Sequence, residues 1–170
     1  QEFVEAAGQV LESFPETKFK ILGPFYDSNS TSISQEQLDI WVESRVIDYL
    51  GTSDRVNEEM ESCDCVVLPS YREGLSKVLI EASSMSLPII TTDVPGCRDV
   101  VVDGETGNLC KVKDSNDLAN KMMQMLALSN TDRLEMGAAA RRRAIDVFDV
   151  KHVIEIYKRE ISNIRKVEDV

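Results

Sequence analysis

Residues 65–96 of the chain read CVVLPSYREGLSKVLIEASSMSLPIITTDVPG. The run at 65–69 predicts a strand, because short β-branched runs that are apolar throughout are typical of strands covered on both faces. Residues 75–85 predict a helix, since apolar side chains recur there at helical spacing, and 88–92 predict the next strand. Strand, helix and strand in this order predict two parallel strands joined by a right-handed crossover.

The same alternation continues on both sides of this stretch. Further strands are predicted at 18–23, 46–51 and 107–111. Further helices are predicted at 4–14, 35–44, 55–62, 116–128, 131–147 and 150–165. The polar stretch 26–34 predicts a mobile loop. The pattern indicates an α/β fold with a Rossmann-like, doubly wound parallel sheet, and 170 residues fit one domain over 1–170.

Polar residues mark several predicted helix starts. Ser53-Asp54 precedes the helix at 55–62, Asp114-Ser115 precedes the helix at 116–128, and Thr131-Asp132 precedes the helix at 131–147. Residues 1–10 show no strand before the first helix, although a doubly wound sheet calls for one. We therefore expect the chain to be part of a larger protein whose first strand lies before residue 1.

Composition and charge exclude several classes of function. The net charge of −11 argues against a general nucleic-acid binder, and no apolar run approaches the ~18 residues of a membrane span. Residues 133–166 nevertheless hold nine Lys or Arg against five Asp or Glu. This basic segment predicts either a peripheral contact with an anionic membrane or a solvated helix face of mixed charge.

The four cysteines do not have zinc-ligand spacing, and the single histidine, His152, is distant from them in sequence. Most of the cysteines lie in or beside apolar runs, which is typical of buried free thiols in a reducing compartment. We therefore expect no metal site and a cytoplasmic protein. A Ser-His-Asp or Cys-His hydrolase would depend wholly on His152, which lies in a helical stretch and reads as a surface or packing residue.

Ligands of open parallel sheets collect at the carboxyl ends of the strands, where three polar crossings lie at 51–54, 69–74 and 91–96. In the middle crossing, Glu73, Lys77 and Glu81 fall at four-residue steps on one face. A glutamate inside such a helix can accept hydrogen bonds from both hydroxyls of a ribose. The alternative is an exposed row of salt bridges worth about 0.5 kcal/mol per pair.

Gly74 leaves room for a ligand to approach the backbone just before the predicted helix. The amides of Leu75, Ser76 and Lys77 would then point at an anion, aided by the helix dipole. The residues by themselves therefore indicate an α/β domain that binds an anion or a nucleotide.

The same residues resemble a known family. Residues 67–74, 81–82, 87–96, 102–107, 114–128 and 136–138 look like the donor half of glycosyltransferase family 4, and the likeness spans most of 3–165. That family consists of retaining enzymes of the two-domain GT-B fold. Ser86 stands where glycine is common in the family. The likeness implies that the chain is the C-terminal, nucleotide-sugar-binding half of such an enzyme.

The resemblance implies a role for each matching residue. Glu81 would hold the ribose hydroxyls, and Glu73 would lie beside the hydroxyls of the donor sugar as the catalytic residue. The backbone amides of Gly74, Leu75 and Ser76 would approach the sugar and diphosphate. Gly51 and Thr52 would border the base, and Val78 would line the pocket. We include Lys77 among the donor-binding residues because its amide is one of the free N–H groups in the first turn of the predicted helix.

The resemblance also implies the reaction and its partners. The donor would be a nucleotide-diphosphate sugar, a UDP-sugar in many bacterial surface-polysaccharide enzymes, and no metal or other cofactor would be needed. A hexosyl or N-acetylhexosaminyl group would pass to a polysaccharide or lipid-linked acceptor held by an N-terminal domain that this chain lacks. The chain alone is expected to bind a nucleotide without transferring sugar.

Other functions stay open at this point. The closest is a non-catalytic nucleotide-binding domain or a nucleotide-sugar epimerase of the same fold, because fold does not fix function. A dinucleotide-dependent dehydrogenase would need a Gly-x-Gly-x-x-Gly turn, which follows none of the predicted strands. A phospho-acceptor receiver domain would need an aspartate at the end of a central strand, where this chain has Leu68-Pro69.

Overall fold

The computed structural model of the chain describes residues 1–25 and 33–168. These residues form five strands and seven helices, which alternate as far as β4; β5 follows β4 directly, and three helices end the chain. The strands are β1 (Lys20–Ile21), β2 (Asp48–Tyr49), β3 (Val66–Leu68), β4 (Ile89–Thr92) and β5 (Gly107–Cys110). The helices are α1 (Glu2–Ser13), α2 (Gln35–Glu43), α3 (Val56–Glu61), α4 (Lys77–Ser84), α5 (Ser115–Ala127), α6 (Asn130–Phe148) and α7 (Val150–Glu168).

All five predicted strands are present, and every pairing among them is parallel, as predicted. Within the described residues they form two groups, β1 with β2 and the three-stranded order β3-β4-β5. The register places Val67 beside Ile90 and Ile90 beside Asn108, so β4 is the middle strand of its group. The α/β class with parallel sheets and crossover helices is therefore confirmed.

Strand β4 is the most deeply buried strand, with all four of its residues covered. Ile90 faces a cluster built mainly from α1 and α5, whereas its neighbour Ile89 faces a second cluster with residues of α3 and α4. Alternate side chains of a strand point to opposite faces, so helices cover the sheet on both sides. Each fully buried isoleucine stabilises the fold by about 2 kcal/mol through removal of apolar surface from water.

Several helix starts differ from the sequence prediction, and at three of them the difference changes the role of a named residue. Helix α4 begins at Lys77 rather than near Leu75, so Leu75 and Ser76 belong to the preceding loop. Helix α6 is capped by Ser129, whose side chain accepts from the amide of Asp132, and not by the predicted Thr131-Asp132 pair. The Ser53 hydroxyl accepts from the Arg55 amide one turn before α3 instead of capping that helix.

Other helix ends follow the prediction. Asp114 caps α5 by accepting from the amide of Asp117. Ser86, two residues after α4, has a φ of 62°, in the left-handed region that favours glycine. Glycine is common at this position in the family that the chain resembles, and the positive φ is the physical reason.

The C-terminal helices carry the basic segment predicted from the sequence. Three of its arginines are tied to backbone carbonyl groups: Arg133 donates to Leu128, Arg141 donates to Ser84, and Arg143 donates to Val100 and to Asp99. They stabilise the packing of α6 instead of facing solvent freely. Helix α7 exposes a row of large apolar side chains, namely Val150, Val153, Ile154, Ile156, Tyr157, Ile161 and Ile164.

The predicted mobile loop at 26–34 lies mostly outside the described residues.

The predicted burial of the cysteines holds for two of the four. Cys97 and Cys110 are buried, and burial raises the pKa of the Cys110 thiol to about 11 and that of the half-covered Cys65 thiol to about 12. In the part of the chain that the structure describes, no helix has the length and apolarity needed to cross a bilayer.

Candidate functional site

A cavity of about 430 Å³ opens at the carboxyl ends of β1 and β2 and beside the start of α4. Its wall comes from the turn after β1, the segment after β2 and the first two turns of α4. The lining residues are Leu22, Gly23, Pro24, Thr52, Ser53, Val56, Lys77, Val78 and Glu81. This volume is in the range of small-molecule sites.

Backbone and side-chain hydrogen bonds join the turns after β1 and β2. The Gly23 amide donates to the carbonyl oxygen of Gly51 at 2.8 Å, and the Tyr49 hydroxyl donates to the carbonyl oxygen of Gly23 at 2.8 Å. Gly51 has a φ of 70°, which a residue with a side chain adopts only with strain. This part of the wall is therefore fixed before any ligand binds.

Glu81 reaches the cavity from the second turn of α4. One of its carboxylate oxygens lies 3.4 Å from the Lys77 ammonium, and the two side chains are 46% and 89% exposed. Such an exposed ion pair contributes about 0.5 kcal/mol or less, because water screens the charges. A ligand that offers two hydroxyl groups can therefore replace Lys77 as the partner of Glu81.

The loop of residues 69–76, called the β3–α4 loop here, carries Glu73. The Ser70 hydroxyl donates to a Glu73 carboxylate oxygen at 2.7 Å, which holds that side chain against its own loop. Gly74 follows, and a Cβ added there would meet no atom within 4 Å. The ligand-free packing therefore does not require glycine at this position, and close approach of a ligand is the reason that the sequence suggests.

Strand β4 and the turn after it hold the backbone of the β3–α4 loop from behind. The Thr91 hydroxyl donates to the carbonyl oxygen of Leu68 at 2.7 Å, and the Thr92 hydroxyl donates to that of Ser70. Gly96 touches the carbonyl group of Gly74 so closely that a Cβ would lie 1.7 Å from its oxygen. The loop therefore takes its shape from contacts with a fully buried strand.

The predicted site residues separate into two sets. Thr52, Lys77, Val78 and Glu81 line the cavity, and Gly51 supports its wall. Glu73, Gly74, Leu75 and Ser76 lie on the β3–α4 loop outside that wall. The Ser76 amide already donates to the Gly96 carbonyl at 3.5 Å, whereas the Leu75 side chain is 55% exposed.

The predicted row of salt bridges forms only in part. Lys77 pairs with Glu81, as that alternative requires, but the Glu73 carboxylate accepts from Ser70 instead of facing Lys77. Glu73 lies in the loop, as predicted, and α4 begins two residues later than predicted, so Glu73 does not have the helical four-residue spacing to Lys77. The two glutamates therefore lie in different surroundings.

Sequence reasoning did not assign several residues that line the cavity. Leu22, Gly23 and Pro24 follow β1, and Ser53 and Val56 lie beyond the predicted base-binding turn. The Gly-Pro pair at the end of a predicted strand was the available signal, because such pairs mark the turns where ligands of parallel sheets collect. Among the described residues, no cluster of His, Cys, Asp and Glu could hold a metal ion.

Comparison with known proteins identifies the family. Residues 1–143 match the family model described as glycosyl transferases group 1. The chain belongs to that family. Among curated relatives, it is 32% identical over 127 residues to the N-acetyl-alpha-D-glucosaminyl L-malate synthase of Bacillus anthracis, covering 75% of this chain and 33% of that protein.

A second relative covers nearly the whole chain. It is the N,N'-diacetylbacillosaminyl-diphospho-undecaprenol alpha-1,3-N-acetylgalactosaminyltransferase of Campylobacter jejuni, 28% identical over 167 residues, which cover 96% of this chain and 42% of that protein. The chain thus spans about a third to two-fifths of the length of these two relatives.

Solved structures confirm the fold. Anabaena Alr3699/HepE in complex with UDP superposes with a TM-score of 0.83 at 20% identity, over 95% of this chain and 44% of that one. The C-terminal domain of a Francisella tularensis group 1 glycosyl transferase, LpcC, gives a TM-score of 0.76 at 21% identity, over 88% of this chain and 78% of that one. The architecture is that of the C-terminal, Rossmann-like half of GT-B glycosyltransferases.

The contact between Gly96 and Gly74 yields a stability prediction. Gly104→Ala, at a φ of 76° with no atom within 4 Å of the added Cβ, should cost about 1 kcal/mol of unfolding free energy from backbone strain alone. Gly96→Ala, at a φ of 83°, adds the clash with the Gly74 carbonyl and should cost about 3 kcal/mol or more.

Urea unfolding of the two variants and the wild-type chain measures this difference. Equal losses in the two variants would show that the β3–α4 loop shifts freely and that Gly96 does not fix its backbone.

Proposed function

We propose that this chain binds a nucleotide-diphosphate sugar, with UDP as the nucleotide, for transfer of a hexosyl or N-acetylhexosaminyl group by the whole protein. The observation that carries the proposal is the cavity whose lining includes one carboxylate, Glu81, paired within the described residues with an exposed lysine. The Alr3699/HepE structure, which shares the fold, was solved with UDP. The relatives are named as glycosyltransferases and a synthase, which favours transfer over epimerisation.

The nucleoside would occupy the cavity. The base would lie against the joined turns at Gly23, Gly51 and Thr52, and the ribose would lie beside Val78 with both hydroxyl groups donating to Glu81. The diphosphate would meet the start of α4, where the first-turn amides of the helix lack intrahelical partners and the helix dipole is positive. No metal ion is part of this proposal.

The sugar would extend from the diphosphate toward the β3–α4 loop. Glu73 would accept hydrogen bonds from its hydroxyl groups, and Gly74 would allow the backbone amides of Leu75 and Ser76 to come close. The Ser76 amide would exchange its long bond to Gly96 for the donor. The acceptor, a polysaccharide or lipid-linked sugar, would be bound by another part of the whole protein.

Replacing Glu81 tests the nucleotide site. Glu81→Ala should weaken UDP binding about tenfold or more, because it removes two hydrogen bonds to a charged acceptor. Glu135→Ala, an exposed glutamate of α6, is the matched control and should bind as the wild type does. Ligand-observed NMR with UDP, GDP and ADP gives the affinities and the preference for UDP.

Equal UDP binding by a folded Glu81→Ala chain would contradict the ribose role of Glu81. A clear preference for GDP or ADP would move the donor to another nucleotide class and leave the cavity assignment intact.

Replacing Glu73 separates sugar contacts from nucleotide contacts. In the whole protein, Glu73→Gln should lower kcat about 100-fold, since it removes a charged hydrogen-bond acceptor beside the reacting sugar. Its UDP affinity should stay within about twofold of the wild type, because Glu73 lies outside the cavity wall. Ser70→Ala releases the Glu73 side chain and should give a smaller loss.

Steady-state rates with a UDP-sugar and an acceptor check this prediction, together with a UDP titration. A parallel loss of UDP affinity would place Glu73 in nucleotide binding instead of sugar positioning. Conversion of the UDP-sugar without an acceptor would favour the epimerase.

We further propose that the protein works in the cytoplasm at the inner face of the membrane, where a lipid-linked acceptor would be found. Helix α7 supports this proposal, because its exposed apolar row lies beside Lys151 and Lys158, which are seven residues apart and share one side of the helix. Arg141 and Arg143 are poor candidates for the membrane contact, since both are bonded to backbone carbonyl groups.

Sedimentation with vesicles tests the membrane contact. The Lys151→Gln/Lys158→Gln protein should bind phosphatidylglycerol-containing vesicles about 30-fold more weakly than wild type, at about 1 kcal/mol for each of the two lost charges. Lys18→Gln/Lys111→Gln removes the same charge elsewhere and is the control. Equal binding by all three proteins, or no wild-type binding, would contradict the proposal.

A further inference from the structure

Tyr71 joins three separate elements at the outer side of the β3–α4 loop. Its hydroxyl donates to a carboxylate oxygen of Glu2, in the first turn of α1, at 2.5 Å. The Lys113 ammonium, which lies between β5 and α5, is 5.0 Å from the centre of the Tyr71 ring. Tyr71 therefore links its loop to residues 69 positions earlier and 42 positions later in the chain.

Tyr71 lies between two points of the β3–α4 loop that β4 and its turn hold in place. Thr92 holds the carbonyl group of Ser70, and Gly96 contacts that of Gly74, so β4 and its turn fix the two ends of the segment. The residues between those ends include Glu73, whose side chain is bonded within the same segment to Ser70. The hydrogen bond from Tyr71 to Glu2 connects this segment to α1; this bond is called the tether here.

The charged groups on either side of Tyr71 favour the observed contacts. Glu2 and Lys113 have opposite charge and both contact Tyr71, one at its hydroxyl and one at its ring. The hydrogen bond from Tyr71 lowers the pKa of Glu2, and the same bond raises the pKa of Tyr71. At neutral pH the carboxylate therefore stays ionised and the phenol stays protonated, which is the state that the bond needs.

Tyr71 does not line the nucleotide cavity, and its side chain is 51% exposed. Loss of its hydroxyl therefore removes no contact with the nucleoside and no large buried surface. We propose that Tyr71, through its bond to Glu2, is a positioning residue that fixes Glu73 for contact with the donor sugar. The inference rests on the proposed function of Glu73 and adds how the loop is held.

The test combines loop exchange with kinetics. Tyr71→Phe removes the hydroxyl and keeps the ring under Lys113, Glu2→Ala removes the acceptor, and Tyr157→Phe changes an exposed tyrosine of α7 as the matched control. In the ligand-free chain, amide hydrogen exchange of residues 71–75 should be about fivefold faster in the first two variants, as expected for loss of one hydrogen bond. It should be unchanged in Tyr157→Phe.

In the whole protein, Tyr71→Phe should lower kcat about tenfold, since a small displacement of a positioning group is costly for the rate. UDP affinity should stay within about twofold of the wild type. The double variant Tyr71→Phe/Glu2→Ala should lose no more than either single variant, because both remove the same bond. Glu2→Gln, which keeps an acceptor oxygen, should recover much of the rate.

Unchanged exchange, an unchanged kcat, or a loss of UDP affinity equal to the loss of kcat would each overturn the proposal. A wild-type protein that neither binds UDP nor transfers sugar would contradict the proposed function and remove the role of Tyr71 in transfer with it. The exchange result needs no nucleotide, so it would still decide whether the bond holds the loop.

Discussion

Hydroxyl groups of Thr91 and Thr92 donate to carbonyl groups at the end of β3 and in the loop after it. Both threonines belong to β4, whose residues are all buried between two layers of helices. The turn after β4 then brings Gly96 against Gly74, where no side chain would fit on Gly96. The arrangement of the proposed donor site depends on this contact, since it transfers the rigidity of the core to an exposed loop.

The two glutamates of the Glu73–Glu81 pair lie in different surroundings, one in the β3–α4 loop and one in α4. Helix α4 begins at Lys77, so Glu81 is helical and Glu73 is not. Glu81 lines the cavity with an exposed partner, whereas Glu73 is held by Ser70 within the loop. In the proposed function, this eight-residue spacing would serve two groups of one ligand, the ribose at Glu81 and the sugar at Glu73.

Much of the fold followed from the sequence because burial of strands and helix faces leaves a regular apolar pattern. The runs that include Val66–Leu68 and Ile89–Thr92 identified the strands around the site, and Asp114 identified the start of α5. The start of α4 was placed two residues too early, since Leu75 has the spacing of a buried helical residue and yet is exposed. Just before that helix, Gly74 packs against Gly96, a contact between distant segments that no local pattern signals.

The site was predictable where its chemistry lies within one segment. Lys77 and Glu81, which line the cavity, were singled out together by their helical spacing, Val78 came only from the family resemblance, and Thr52 followed from the turn after a strand. Gly23 and Pro24 join the cavity through the pairing of β1 with β2, and Tyr71 reaches Glu2 across the molecule. Contacts of this kind leave no periodic signal, because they depend on the crossing of distant chain segments.

Amide chemical-shift changes of the chain during titration with UDP test the central claim most directly. The account predicts saturable shifts concentrated at the cavity wall, at Gly23, Thr52, Ser53, Val78 and Glu81, with little change in α6 and α7. Saturable shifts confined to the separate groove lined by Gln35, Leu38, Asp39, Val42, Glu43 and Tyr49, or no shifts at all in a folded chain, would contradict it.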